Sequence, residues 1–343
     1  MPTKKIIVLR FSAMGDVAMV ASVLKELVEQ NADIEIVMVS RKAFAPFFNT
    51  IDRLSFHTID PKGEHKGFWG LYKLFKALRH YQPYAIADLH DNIRSRVISA
   101  FFRLSGTKIK RIDKGRAEKK ALTRKHHKQL VQLKPTVERY AYVFRALHFK
   151  IKLSHQLQRQ QTPIPANAKP WFDAPGVKRI GIAPFAQHIY KVYPLVQMEE
   201  VIAGLNKLGY EIFIFGGGKK EAETALQWEQ KFEQVHNTIG LFSLTEELNL
   251  IAHLDVMLSM DSSGMHMASL MGIPVVSIWG PTHPYAGFLG YGQSINDCIQ
   301  IDHPNRPNSI YGNKPCLCGV KACIDLIEPE VVIQKIKSKL ENG

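Results

Sequence analysis

The chain has 343 residues, 45% hydrophobic and 22% charged, with a formal net charge of +14. These proportions describe an ordinary globular protein, the length favours two domains over one small core, and no apolar run reaches the roughly 18 to 20 residues that a membrane-spanning helix needs. The first apolar stretch is too short for a secretory signal and the four cysteines are few, so a cytoplasmic chain is expected. The excess positive charge points to a polyanionic partner, although no helix-turn-helix, zinc-finger or RNA-binding sheet signature points to nucleic acid.

In chain order, KKIIVLR reads as a buried strand and DVAMVASVLKELVEQ as a helix that begins at Asp16. IEIVMVS is a second strand, GLYKLFKALRHYQ an amphipathic helix, YAIADLH a strand ending near Asp88, and NIRSRVISAFFRLSG a helix stopped by Gly106. Residues 94–128 are dense in Arg and Lys, with only Asp113 and Glu118 as acids. Residues 161–176, rich in proline and polar side chains, read as a linker. The alternation then restarts with KRIGIAPFA, VQMEEVIAGLNKLG, YEIFIFGGG, KKEAETALQWEQKFE, TEELNLIAHL, DVMLSM, SGMHMASLMG and PVVSIWG. Strand and helix in turn predict two doubly wound parallel α/β domains facing a cleft. The expected boundaries are 1–165 and 176–327, with a last helix over 328–343 packing back on the first domain.

An acid placed at once after a buried strand and a turn, as Asp16 is in RFSAMGDV, must be solvated, paired or used. In LSMDSSGMHMASLMG, Asp261 closes a strand and Ser262, Ser263 and Gly264 precede a helical run through Met265 and His266. Unpaired N–H groups at such a helix start suit a phosphate, and the competing reading is an ordinary serine cap. Lys191, in the loop HIYKVYP, suits a diphosphate or else is a solvated surface lysine. Gly216 and Gly217, followed by Glu221, mark a close backbone approach or a tight turn. Cys316, Cys318 and Cys323 form C-x-C-x4-C, to which Cys298 or His303 would add a fourth ligand; free thiols are the preferred reading.

RFSAMGDV, DLHDNIRS, TRKHHK, VERY, KVYP and DSSGMHMASLMGIPVVSIWGPTHP, in this order, resemble the motifs of the heptosyltransferases of glycosyltransferase family 9. The resemblance departs at Ala21, where the family often has proline, and at Ser263, which intervenes before Gly264. It implies the B-type glycosyltransferase fold, with acceptor on the first domain and nucleotide sugar on the second. Asp16 is implied as the general base of an inverting transfer. Donor contacts are implied for Lys191, Gly216, Gly217, Glu221, Asp261, Ser262, Ser263, Gly264, Met265 and His266. Acceptor contacts are implied for Ser12, Gly15, Arg94, Arg124, Lys125 and Arg139. The implied partners are an ADP-heptose-type donor, an anionic lipopolysaccharide core acceptor and the cytoplasmic face of the inner membrane. No cofactor and no metal are implied. A same-fold transferase with another nucleotide sugar or acceptor, and a non-catalytic polyanion-binding protein, are the alternatives.

Overall fold

A computed structural model describes residues 3–341. The chain divides into two compact units. One runs to Lys114 and includes Lys134–Ser154; the other comprises Gly115–Leu133 and everything from His155 onward. The elements in order are β1 (Lys4–Leu9), α1 (Met14–Glu29), β2 (Ile34–Ser40), β3 (Leu54–Thr58), α2 (Gly67–Arg79), β4 (Ala85–Asp88), α3 (Ile93–Leu104), β5 (Lys108–Arg111), α4 (Arg116–Leu122) and α5 (Thr136–Arg145). The second half continues with β6 (Arg179–Ala183), α6 (Leu195–Lys207), β7 (Glu211–Ile214), α7 (Lys219–Lys231), β8 (Val235–Asn237), α8 (Leu244–Ile251), β9 (Val256–Met260), α9 (Ser263–Leu270) and β10 (Val275–Ile278). Two-residue strands β11 (Cys298–Ile299), β12 (Leu317–Cys318) and β13 (Lys321–Ala322) precede α10 (Pro329–Glu341).

The first sheet has the order β3-β2-β1-β4-β5 and the second β11-β10-β9-β6-β7-β8. Every pairing within these two sheets is parallel. Helices must then cover both faces, which is why the central strands are continuous apolar runs. Ile6 to Leu9 in β1 and Met257, Leu258 and Met260 in β9 are wholly buried. In each sheet the first strand of the unit has one neighbour on either side, reached by chains winding in opposite directions. The loops after β1 and β4, and those after β6 and β9, therefore diverge at the carboxyl ends of the strands and leave a crevice.

The chain departs from the expected division at three places. Residues 115–133, which hold TRKHHK, belong to the second unit. The linker region is packed: Trp171 and Phe172 lie with ring centroids 5.8 and 5.6 Å from that of Phe213. The last helix, expected on the first domain, instead buries Val332, Ile333 and Ile336 in the core of the second unit. Its Ile333 lies against Gly204 of α6, where a Cβ would stand 2.5 Å from Ile333 Cδ1.

Candidate functional sites

In the first unit, the β1–α1 and β4–α3 loops meet over the crevice through an interlocked set of polar groups. Asp16 is the third residue of α1, not its cap, and its Oδ2 accepts the Ala13 N–H at 3.3 Å. The same oxygen pairs with the Arg10 guanidinium at 2.5 Å. Arg10 is itself buried, donates to the Leu89 carbonyl at 2.8 Å and lies over the ring of Tyr140 from α5. Burial, joined by the Asp16 carboxylate, pushes the Tyr140 hydroxyl above the usual tyrosine range, so it stays neutral.

Asp88, with no exposed surface, fixes the opposite loop. Its Oδ1 accepts the N–H groups of His90 and Asp91 at 3.1 and 2.9 Å, and its Oδ2 accepts from Arg111 Nε at 3.0 Å. Asp91 has a positive φ of 49° and accepts from Arg96 Nε at 2.8 Å. The Phe11 N–H donates to His90 Nδ1 at 3.1 Å, tying one loop to the other. That bond needs a lone pair on Nδ1 and so a neutral ring. Burial first, then the charges of Arg10, Lys114 and Arg41, hold the His90 pKa down to about 3 against an opposing pull from Asp16.

In the second unit, Lys191 closes a short 3-10 turn after β6, and its Nζ lies 3.1 Å from Asp261 Oδ2 at the end of β9. Both side chains are largely buried, at 14% and 8% exposure, so Lys191 is not a solvated surface lysine. The Tyr193 hydroxyl donates to the Ile327 carbonyl at 2.6 Å and anchors the loop that carries Lys191. Gly312, at φ +75°, presses on the lysine stem: a Cβ there would be 2.2 Å from Lys191 Cδ. Beside it, the buried Thr282 Oγ1 has no partner among the described residues.

Ser262 occupies the N-cap of α9 without making a side-chain cap bond. The contrast with α8 is direct. There Ser243 accepts from the Glu246 N–H while the Glu246 carboxylate accepts from the Ser243 N–H at 2.9 Å. The start of α9 thus lacks the serine cap that would satisfy its first-turn donors, and those donors carry the positive end of the helix dipole. Gly264 permits this placement, because a Cβ on it would be 2.4 Å from Ala183 Cβ on β6. Met265 and His266 are buried behind it and Ser263 is half-buried.

The remaining expected site residues are placed as follows. Gly216 and Gly217 are exposed at the end of β7, and Glu221 Oε2 accepts the Gly217 N–H at 2.7 Å, folding back over the start of α7. Ser12 and Gly15 are partly exposed beside Asp16, and Arg94 is exposed on α3. Arg124 and Lys125 are exposed in the second unit, while Arg139 is buried and donates to the carbonyls of Lys134 and Asp113 at 3.1 and 3.4 Å.

The sequence profile of glycosyltransferase family 9 (heptosyltransferase) matches residues 71–313. The chain belongs to that family. Among curated relatives, lipooligosaccharide heptosyltransferase 2 of Campylobacter jejuni (serotype O:2) is 26% identical over 202 residues, covering 57% of this chain and 59% of that protein. The enzyme of the same name from Haemophilus influenzae is 31% identical over 111 residues, covering 31% of this chain and 32% of that protein. The chain thus matches at most about three fifths of these relatives' length. Similar solved structures include a family 9 glycosyltransferase from Veillonella parvula (TM-score 0.76, 18% identity, 100% of this chain and 99% of that one). ADP-heptose LPS heptosyltransferase II of E. coli is another (TM-score 0.72, 17% identity, 99% of each chain). They show that the family 9 chain has the two-domain B-type glycosyltransferase fold, as its motifs imply.

Motif reading of this family member singles out Asp16, Lys191 and Asp261 but not Arg10, His90, Tyr140, Thr282 and Gly312, which the structure gathers around them. Arg10 and His90 stood within the quoted motifs RFSAMGDV and DLHDNIRS, so a search for partners of Asp16 had the residues in view. Tyr140 closes the motif VERY and Thr282 stands near the end of the last one, but nothing local ties either to Asp16 or Lys191, and Gly312 lies outside every motif.

Two outcomes test this geometry. The folded His90 pKa of about 3 lies below the ordinary 6.5, so the unfolded chain binds the extra proton first on acidification. The contribution of neutral His90 is complete above about pH 6.5 and is lost as pH falls toward 3, with a slope of up to about 1.4 kcal/mol per pH unit. Urea denaturation against pH should show the stability gap between parent and His90→Gln shrinking over that window; parallel curves would contradict a buried neutral His90. Gly264→Ala should cost about 1–3 kcal/mol by overpacking α9 against β6, read by the same denaturation, and unchanged stability would show that α9 rides away freely.

Proposed function

We propose that the protein is an inverting heptosyltransferase that moves a heptose from an ADP-heptose-type donor to an anionic lipopolysaccharide inner-core acceptor. What supports this reading is that Asp16 with Arg10 lies at the switch point of the first sheet, and Lys191 with Asp261 at that of the second. The E. coli structures described as heptosyltransferase with ADP and with ADP-2-deoxy-2-fluoro heptose support the choice of donor. The curated relatives, named for lipooligosaccharide, support the acceptor class.

On the first unit, Asp16 takes the proton of the acceptor hydroxyl as that oxygen attacks the anomeric carbon. Arg10 favours the carboxylate form and fixes its direction, and the neutral Tyr140 and His90 close the polar wall around it. As the new carbon–oxygen bond forms, the bond to the diphosphate breaks and the nucleotide diphosphate leaves. On the second unit, Lys191 and the uncapped start of α9 meet the charge developing on that leaving group. They are preorganised by Asp261 and by the packing of Gly264 and Gly312, so little reorganisation is needed at the moment of transfer.

The acceptor surface and membrane attachment belong to the same proposal. Arg94 is exposed, and Arg124 and Lys125 add charge on the second unit. On α2, Phe68 and Trp69 are 57% and 78% exposed and pack edge to face, and the same helix exposes Lys73, paired with Glu64, and Lys76, over the Tyr72 ring. Exposed aromatic rings among lysines suit an anionic bilayer surface, where each nearby cation contributes about 1 kcal/mol. Among the described residues no helix is long and apolar enough to cross a membrane, so the contact proposed is peripheral, on the cytoplasmic side.

Asp16→Asn should keep the fold and the affinity for nucleotide diphosphate while kcat falls about 10² to 10⁴-fold. Some stability should go as well, because Arg10 loses the charge beside it. A folded variant that binds donor and turns over within a few-fold of the parent would remove Asp16 as the base. Lys191→Ala should weaken ADP binding in calorimetry by about 1.5–3 kcal/mol, the usual value of a charged hydrogen bond. Unchanged ADP affinity and turnover would take Lys191 out of the donor site.

A further inference from the structure

Among the described residues, the donor and acceptor chemistry leaves unused a cluster of three cysteines between β11 and α10. The hairpin β12–β13 turns at Gly319, φ +79°, and pairs Leu317 with Ala322 and Cys318 with Lys321. Just outside it, the Cys323 N–H donates to the Cys316 carbonyl at 2.8 Å, which brings the two ends of C-x-C-x4-C together. Cys318 and Cys323 are joined as a disulfide, and Cys316 is a free, buried thiol. The Cys316 and Cys323 sulfurs are 3.7 Å apart. From a second segment, a ring nitrogen of His303 lies with the sulfurs of Cys318 and Cys323 in a set whose members are all within 4.8 Å of one another, and Cys316 joins this set through Cys323.

We propose that in the reduced protein Cys316, Cys318, Cys323 and His303 bind a thiophilic divalent cation of the zinc class as a tetrahedral S₃N site. Zinc–sulfur bonds of about 2.3 Å at tetrahedral angles set sulfurs about 3.8 Å apart, which is the separation already held between Cys316 and Cys323. A disulfide uses only two of the three sulfurs, whereas a metal uses all three together with the imidazole. The scaffold is built before any ligand arrives. Asn305 Nδ2 donates to the Leu317 carbonyl at 2.7 Å and the Cys316 thiol to the Asn305 carbonyl at 3.6 Å, which holds the His303 turn against the hairpin. The Arg306 guanidinium, buried among the carbonyls of Trp279, Gly280, Ile301 and Thr282, fixes the base of the turn. Three thiolates around a dication leave one net negative charge, and Arg306, Lys128 and Lys314 lie close enough to act electrostatically on the Cys316 sulfur.

Loading takes two balanced steps. A dithiol reductant supplies two electrons and two protons, opens the Cys318–Cys323 bond and is itself oxidised to a disulfide. The dication then displaces three thiol protons to solvent. His303 Nδ1 accepts the Asn305 N–H at 3.2 Å, which orients the ring beside the sulfurs. Cys298 is not one of them: its sulfur accepts the Ser277 hydroxyl at 3.4 Å beside β10.

The test is a titration of the full chain, reduced by dithiol and stripped by chelator under argon, with zinc and with cobalt(II). About one metal ion per chain should bind, and the cobalt form should show thiolate-to-cobalt charge transfer with the intense visible bands of a tetrahedral ion. Cys316→Ser and Cys323→Ser should each abolish stoichiometric uptake. His303→Ala should weaken zinc at least tenfold in competition with a chromophoric chelator, and Cys298→Ser should change nothing. The same parent protein, oxidised, should take up no metal, a comparison that needs no variant to fold. Uptake that is substoichiometric, that survives loss of Cys316, that persists in oxidised protein, or that gives an octahedral cobalt spectrum would overturn the site. None of these readings depends on glycosyl transfer.

Discussion

The constraint on which the rest depends is the reversal of winding at the first strand of each parallel sheet. Neighbouring strands are added first on one side and then on the other, so the two loops beside that strand must part at its carboxyl end. In the first unit those loops follow β1 and β4, and in the second they follow β6 and β9. Backbone groups at such a gap have no strand to pair with and need side chains, water or ligand. Asp88 satisfies two of them, and His90 accepts a third from Phe11. Asp16 and Arg10 then sit on a floor that cannot shift without breaking several buried hydrogen bonds at once.

The same physics yields a different outcome at the second gap. There the loop is held by packing against glycine and by Tyr193, while the α9 start keeps its donors uncapped. A serine cap is worth about 0.5–2 kcal/mol of helix stability, and α8 has one. A helix start that forgoes it next to a buried lysine is suited to receive an anion from outside. Lys191 and Asp261 balance each other's charge, so neither is stranded when no anion is present.

Burial also separates two uses of arginine in this basic chain. Arg94, Arg124 and Lys125 are exposed and contribute to a field that acts at a distance and weakens with salt. Arg139 and Arg306 are turned inward and spend their donors on backbone carbonyls, where they hold loops in place. The net charge of +14 therefore overstates the cationic surface offered to a partner.

By itself the sequence determined the α/β class, the two-unit plan and the positions of Asp16, Lys191 and Asp261, because period-based burial and turn residues are local properties. The strands β3 and β5 escaped it: LSFHT and KIKR are edge strands, exposed enough to lack an apolar run. Only the tertiary structure decided that residues 115–133 join the second unit and that α10 completes the second core. It alone brought Arg10 to Asp16, His90 to Phe11, Gly312 to Lys191 and His303 to the cysteines. Except for Arg10 and Asp16, those partners are separated by 13 or more residues along the chain, and all of them meet by side-chain or loop packing, so no periodicity in the sequence could record them.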